Sequence, residues 1–150
     1  MLKLGDRLPP FSVLDDHGRT VTDADLASGD VVLYFYPKDD TPGCTRQACG
    51  LRDAQGDYQA RGIRVFGISA DDVASHVAFR EKFNLNFPLL ADTGMVLCNA
   101  FGVYGEQEWK GQKYMGIARN TYLFKDGVLT TIFPNVDVLT HADRVLAAVG

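Results

Sequence analysis

Two apolar runs, "DVVLYFYP" at residues 30–37 and "IRVFGISA" at 63–70, restrict the folds open to this chain more than any other feature. Each is short, nearly unbroken and rich in β-branched or aromatic residues, the pattern of a buried strand, and Pro37 stops the first. Between them, "CTRQACGLRDAQGDYQARG" repeats Ala48, Leu51, Ala54 and Tyr58 at helical spacing, and Gly62 can end that helix. After the second run, "DDVASHVAFREKFN" predicts another helix with Val73, Val77 and Phe83 on its inner face. Strand, helix, strand, helix in this order favours parallel pairing, because parallel neighbours need a crossover.

The flanking segments extend the pattern. "FSVLDDHGRTVT" reads as two short strands around a turn at Asp16-His17-Gly18, "FPLLAD" as a short strand and "GMVLCNAFG" as a short helix. "ARNTYLFKDGVLTTIFP" predicts a hairpin turning at Lys125-Asp126-Gly127, and "THADRVLAAVG" a closing helix capped by Thr140. A βαβ unit followed by a hairpin and a terminal helix is the thioredoxin-like arrangement. The expected fold is therefore α/β, a mixed central sheet flanked by helices, with an N-terminal β-hairpin. No repeat or linker interrupts the chain, and 150 residues at 46% apolar content can fill one core, so a single domain over 1–150 is expected.

Charge and composition exclude several functions. Fifteen basic against 19 acidic residues leave a net charge of -4, with no basic cluster to track a phosphate backbone, so nucleic acid is not an expected partner. "MLKLGDRLPPFSVLDD" breaks any N-terminal apolar run, and no later run approaches the ~18 residues of a membrane span. A soluble, cytoplasmic protein without a membrane partner is the expectation. Three cysteines in such a chain suggest catalysis, redox chemistry or metal binding more than a disulfide scaffold.

Cys44 falls in the first turn of the helix after the first buried strand, behind Pro42 and Gly43. Unpaired backbone N–H groups and the positive helix end favour a thiolate there, and Lys38 and Arg46 add positive charge. That placement favours a reactive thiol over a small buried hydrophobe. Cys49 follows at C-x4-C, which in an ideal helix separates the Cα atoms by about 8.7 Å. A disulfide needs about 7 Å or less, so the pair can bond only if the first turns unwind. An inert helix thiol is the plain alternative for Cys49.

"YFYPKDDTPGCTRQACGLRD" resembles the active-site segment of the peroxiredoxins, specifically the subfamily called peroxiredoxin Q or bacterioferritin comigratory protein. Its pattern P-x-x-x-T-x-x-C is matched by Pro37, Thr41 and Cys44, and a second cysteine five positions on is matched by Cys49. The likeness runs from "LGDRLPPFSVLDDHG" through "GISADDVASHVAFREKFNLNFPLLAD" to "ARNTYLFKDGVL", where Arg119 matches a family arginine that helps bind peroxide.

The resemblance implies a thiol peroxidase acting on hydrogen peroxide and organic hydroperoxides. Cys44 would be oxidised to sulfenic acid and Cys49 would resolve it as an intramolecular disulfide, which thioredoxin or glutaredoxin would reduce. Arg119 would stabilise the developing charge, Thr41 would orient sulfur and peroxide, and Pro37 would shape the pocket. It further implies a monomer that needs no metal, flavin or nucleotide.

Cys98, among apolar residues in "MVLCNAFGV", reads as a buried structural thiol, and His17, His76 and His141 as surface or partly buried. Trp109, in "GEQEWKGQKYMG", reads as part of a loop near the pocket. Two other functions compete. A protein thiol–disulfide oxidoreductase expects C-x2-C, not C-x4-C. A metal module of Cys44, Cys49, Cys98 and a histidine would, for plant-type iron–sulfur spacing, need a cysteine where the chain has Arg52.

Overall fold

The structure, a computed structural model of the chain, describes residues 2–149, with the Trp109 side chain outside that description. In chain order, β1 (Ser12–Asp15), β2 (Thr20–Thr22) and β3 (Asp30–Phe35) lead to α1 (Pro42–Asp53), α2 (Gln55–Ala60), β4 (Ile63–Ser69) and α3 (Val73–Phe83). There follow β5 (Leu89–Ala91), α4 (Val96–Ala100), β6 (Tyr104–Trp109), β7 (Gln112–Ile117), β8 (Thr121–Lys125), β9 (Val128–Phe133) and α5 (His141–Ala148). Seven strands form one sheet in the order β2-β1-β5-β4-β3-β8-β9. The β3–β4 and β4–β5 pairs are parallel, whereas β1–β2, β1–β5, β3–β8 and β8–β9 are antiparallel. This is the mixed, helix-flanked thioredoxin-like sheet, with the β1–β2 hairpin at its edge.

The unbroken apolar run of β3 has a direct cause: the strand is buried on both faces. Val31, Leu33 and Phe35 join one core with Leu97, Cys98 and Phe101, while Val32, Tyr34 and Tyr36 join a second with Cys44, Ala48, Leu51, Tyr58, Phe79 and Val145. Period-2 alternation thus sends neighbouring residues of one strand into different cores. Gly67 on β4 makes room for Tyr34, because a Cβ there would lie 2.8 Å from the Tyr34 hydroxyl and ring and 2.9 Å from a Leu89 methyl. No helix among the described residues is long and apolar enough to cross a membrane.

Several elements differ from the sequence expectation. The helix after β3 is two helices, parted at Ala54, where the Gln55 side-chain amide donates to the Leu51 carbonyl. The segment read as a loop around Trp109 is the β6–β7 hairpin, and its backbone turns at Lys110 and Gly111 with φ of 50° and 79°. The β8–β9 turn at Asp126-Gly127 uses the same left-handed pair, φ 50° and 78°, as a two-residue hairpin requires. Helix α3 turns His76 and Phe79 inward and leaves Val73, Val77 and Phe83 half-buried. Thr140 precedes α5 as expected but makes no capping bond with its side chain.

Candidate active site

Sheet topology brings Arg119 to Cys44. Strand β3 ends at Phe35, and its chain continues through Pro37 to Thr41 into α1, so α1 begins above the C-terminal end of the central strand. Strand β8 runs antiparallel to β3 with Thr121 opposite Tyr34, which sets Arg119, just before β8, at the same sheet end. Arg119 Nη1 lies 3.3 Å from Cys44 Sγ and donates to Gln47 Oε1 at 2.9 Å. Cys44 is 1% exposed. Gly43 completes the approach: a Cβ there would sit 3.1 Å from Arg119 Nη2, so the missing side chain lets the guanidinium settle over the helix start.

Thr41 and Pro37 stand at the mouth of this arrangement. With Pro42, Gly43, Gln112, Lys113, Tyr114 and Arg119 they line a cleft of about 510 Å³ whose far wall is the β6–β7 hairpin. The Thr41 hydroxyl donates to the Lys38 carbonyl at 2.9 Å, so toward a ligand it can only accept. Lys38 and Arg46 are exposed beside the site.

Two buried networks that the sequence did not suggest hold the site from below. In the first, Gln47 Nε2 lies 3.2 Å from His141 Nδ1, and His141 Nε2 lies 2.8 Å from Thr121 Oγ1. In the second, the Asp39 carboxylate accepts from the Tyr36 hydroxyl at 2.5 Å and the Ser75 hydroxyl at 2.8 Å, and meets His76 Nδ1 at 2.7 Å. The Asp39 amide donates to Asp71, pinning the loop before α1 to the start of α3. His76 and His141, expected at or near the surface, are 0% and 2% exposed, while the His17 side chain is open to solvent.

The two buried histidines respond oppositely to pH. Burial pushes His76 down, but the hydrogen bond and charge of Asp39 and the Leu90 carbonyl outweigh it, and the net shift is upward. Burial, then the charges of Arg119 and Arg144, lower His141 to about 4. An unfolded histidine titrates near 6.5. His141 therefore contributes stability above about pH 6.5 that disappears as pH falls toward 4, worth roughly 3 kcal/mol. The contribution of His76 has the reverse sign: it is complete below about pH 6.5 and is lost as pH rises through its raised folded value. The fall in urea unfolding midpoint between about pH 7 and pH 4.5, compared between the parent and a His141→Asn protein that keeps His76, measures the His141 effect; an equal fall in both proteins would contradict it.

The three cysteines are free thiols. Cys49 is half-buried on α1, the same helix as Cys44, and no bond joins them. Cys98 lies in the other core, across the sheet from Cys44, with its thiol pushed well up by burial and by the Asp92 carboxylate beside it. Among the described residues, the acid and histidine groups close enough to share an ion are Asp39, Asp71 and His76, without a cysteine. The cysteine–histidine ligand set considered from sequence is not assembled: its cysteines are divided between two faces of the sheet.

Comparison with known proteins agrees with this geometry. The AhpC/TSA family model matches residues 4–132. Peroxiredoxin Bcp of Escherichia coli is 43% identical over 146 residues, which span 97% of this chain and 94% of that protein. A crystal structure of a cysteine variant of PrxQ from Xylella fastidiosa superposes with a TM-score of 0.92 at 30% identity, covering 99% of this chain and 95% of the other. The bacterioferritin comigratory protein of Xanthomonas campestris, solved in work on its alkyl peroxide reduction activity, gives a TM-score of 0.85 at 35% identity, covering 92% and 88%. With a thiol at a helix start, an arginine on its sulfur and this degree of likeness, the chain belongs to the peroxiredoxins, in the peroxiredoxin Q or bacterioferritin comigratory protein subfamily, and carries the thiol peroxidase activity of that family.

Proposed function

We propose that Cys44 is the thiol that reacts with peroxide and that Cys49 regenerates it through an intramolecular disulfide. The observation that carries this reading is the Arg119 guanidinium 3.3 Å from a buried Cys44 sulfur at the start of α1. The thiolate attacks one peroxide oxygen as the O–O bond breaks, leaving Cys44 as sulfenic acid and releasing water or an alcohol once the leaving oxygen takes a proton. Arg119 and the backbone N–H groups of the first helical turn stabilise the developing negative charge. Thr41 accepts a hydrogen bond from the peroxide, and Pro37 walls the cleft.

The Cys49 thiol then displaces water from the sulfenic acid, and the disulfide passes to a dithiol protein such as thioredoxin or glutaredoxin by exchange. Two features of α1 support the unwinding this needs. Gly50 costs the helix about 1 kcal/mol relative to Ala, and a Cβ at this position would meet nothing within 4 Å, so packing does not require glycine. The break at Ala54 separates α1 from α2, which stays anchored to α5 by the Tyr58 hydroxyl on the Ala142 carbonyl at 2.9 Å. Cys49→Ser should consume one equivalent of peroxide and then stop in a coupled thioredoxin assay; continued cycling at the parent rate would remove Cys49 from the mechanism.

A further inference from the structure

We propose that His141, the first residue of the C-terminal helix, is a positioning residue for the Arg119–Cys44 pair, acting through the amide of Gln47. This deepens the reading above and rests on Cys44 being the reacting thiol. The argument is one of hydrogen-bond direction. A guanidinium has only donors, so the Gln47 atom facing Arg119 Nη1 at 2.9 Å must be its oxygen. The amide nitrogen is thereby turned toward His141 Nδ1 at 3.2 Å, and that ring nitrogen has to accept. His141 then carries its proton on Nε2 and donates it to Thr121 Oγ1 at 2.8 Å.

The chain runs in one direction from the sulfur inward: Arg119 to Gln47, Gln47 to His141, His141 to Thr121. Gln47, His141 and Thr121 are 1%, 2% and 0% exposed, so bulk water does not stand in for a lost partner. If the imidazole were protonated, or replaced by a group without an acceptor, nothing would hold the Gln47 nitrogen inward. A flipped Gln47 would set its NH₂ against the guanidinium, and the guanidinium would have to leave its place over the sulfur. The groups around the ring agree with a neutral imidazole: Arg119 on one side, Arg144 on its own helix, and the Tyr34 ring from β3 with centroids 5.7 Å apart. A histidine that only filled space would need no such tautomer. The link also ties α5 to α1 across 94 positions of sequence.

The test is the rate of the first oxidation of the reduced, full-length protein by hydrogen peroxide, followed by stopped flow across pH. His141→Phe keeps the ring and removes the acceptor; its rate should fall up to about 100-fold, the scale of a catalytic group displaced by about 1 Å, and the acid limb of its pH–rate profile should move to higher pH. His141→Asn, whose side-chain oxygen can take the place of Nδ1, should recover most of the rate. A folded His141→Phe protein with the parent rate and profile overturns the proposal, as does an Asn variant no faster than the Phe variant. Should His141→Phe fail to fold, Thr121→Val removes the acceptor that orients the ring. It should slow the first oxidation several-fold in a protein that is still folded under the assay conditions although its unfolding midpoint is lower, because a buried donor has lost its acceptor, and a parent rate would overturn the proposal. Cys44→Ser in the same assay separates the two levels: residual oxidation at the parent rate would sink the assignment of Cys44, whereas a dead Cys44→Ser beside an unaffected His141→Phe would sink only this inference.

Discussion

Cys44→Ser is expected to reduce thioredoxin-coupled peroxide consumption to the uncatalysed background while leaving the fold intact. A serine hydroxyl fits where the thiol stood, but it is not ionised near neutral pH and its oxygen is a poor nucleophile toward the O–O bond. The donors over the position, Arg119 and the first-turn amides, would remain in place with no anion to stabilise. Neither remaining thiol is placed to substitute. Cys98 lies in the core on the far side of the sheet with its thiol held protonated, and Cys49 is further along α1, away from the guanidinium's partners. Peroxide consumption above background in a folded Cys44→Ser protein would contradict the account.

Arg119→Leu is expected to lower the second-order rate with peroxide by about 100- to 1,000-fold, the usual cost of removing a donor aimed at developing charge. Leucine preserves part of the aliphatic stem, but the sulfur and Gln47 Oε1 both lose their partner. Arg119→Lys should recover only part of the loss. A single ammonium on a flexible stem does not reproduce a planar group that sets Nη1 against both Sγ and Oε1 while Nη2 lies over Gly43. Stopped-flow oxidation of the reduced protein measures both variants, and a leucine variant within a few-fold of the parent would remove Arg119 from the charge-stabilising role.

How far the sequence spoke for itself differs between the parts of the site. The place of Cys44 was legible because its signals are local: an apolar strand, a Pro-Gly entry and a helix start lie within one short segment. Arg119 was reachable only through family resemblance, since its position depends on β8 pairing antiparallel with β3, far away in the chain. Gln47, His141 and Thr121 gave no signal at all. They come from α1, α5 and β8, and a buried polar chain has no periodicity to betray it.

The other differences have separate causes. His76 sits among apolar helix positions, and a polar residue there reads as solvent-facing until Asp39, from the loop before α1, is known to meet it inside. The β6–β7 hairpin was missed because its strands are mostly exposed and polar, so no face alternates with a core. Its one cue was the Lys110-Gly111 pair at the turn, weaker than the Asp-Gly of the next hairpin. The single long helix was an error of propensity, which carries straight through Ala54 while a side-chain bond from Gln55 interrupts the backbone ladder.

The central claim is that Cys44 and Cys49, free and apart on one folded helix, become a disulfide after a single encounter with peroxide. Intact mass of the reduced protein after one equivalent of hydrogen peroxide, with peptide mapping, tests this most directly. The account predicts a loss of two hydrogens and one cross-linked peptide joining Cys44 to Cys49. A gain of one oxygen that persists on Cys44, or a cross-link that includes Cys98, would contradict it.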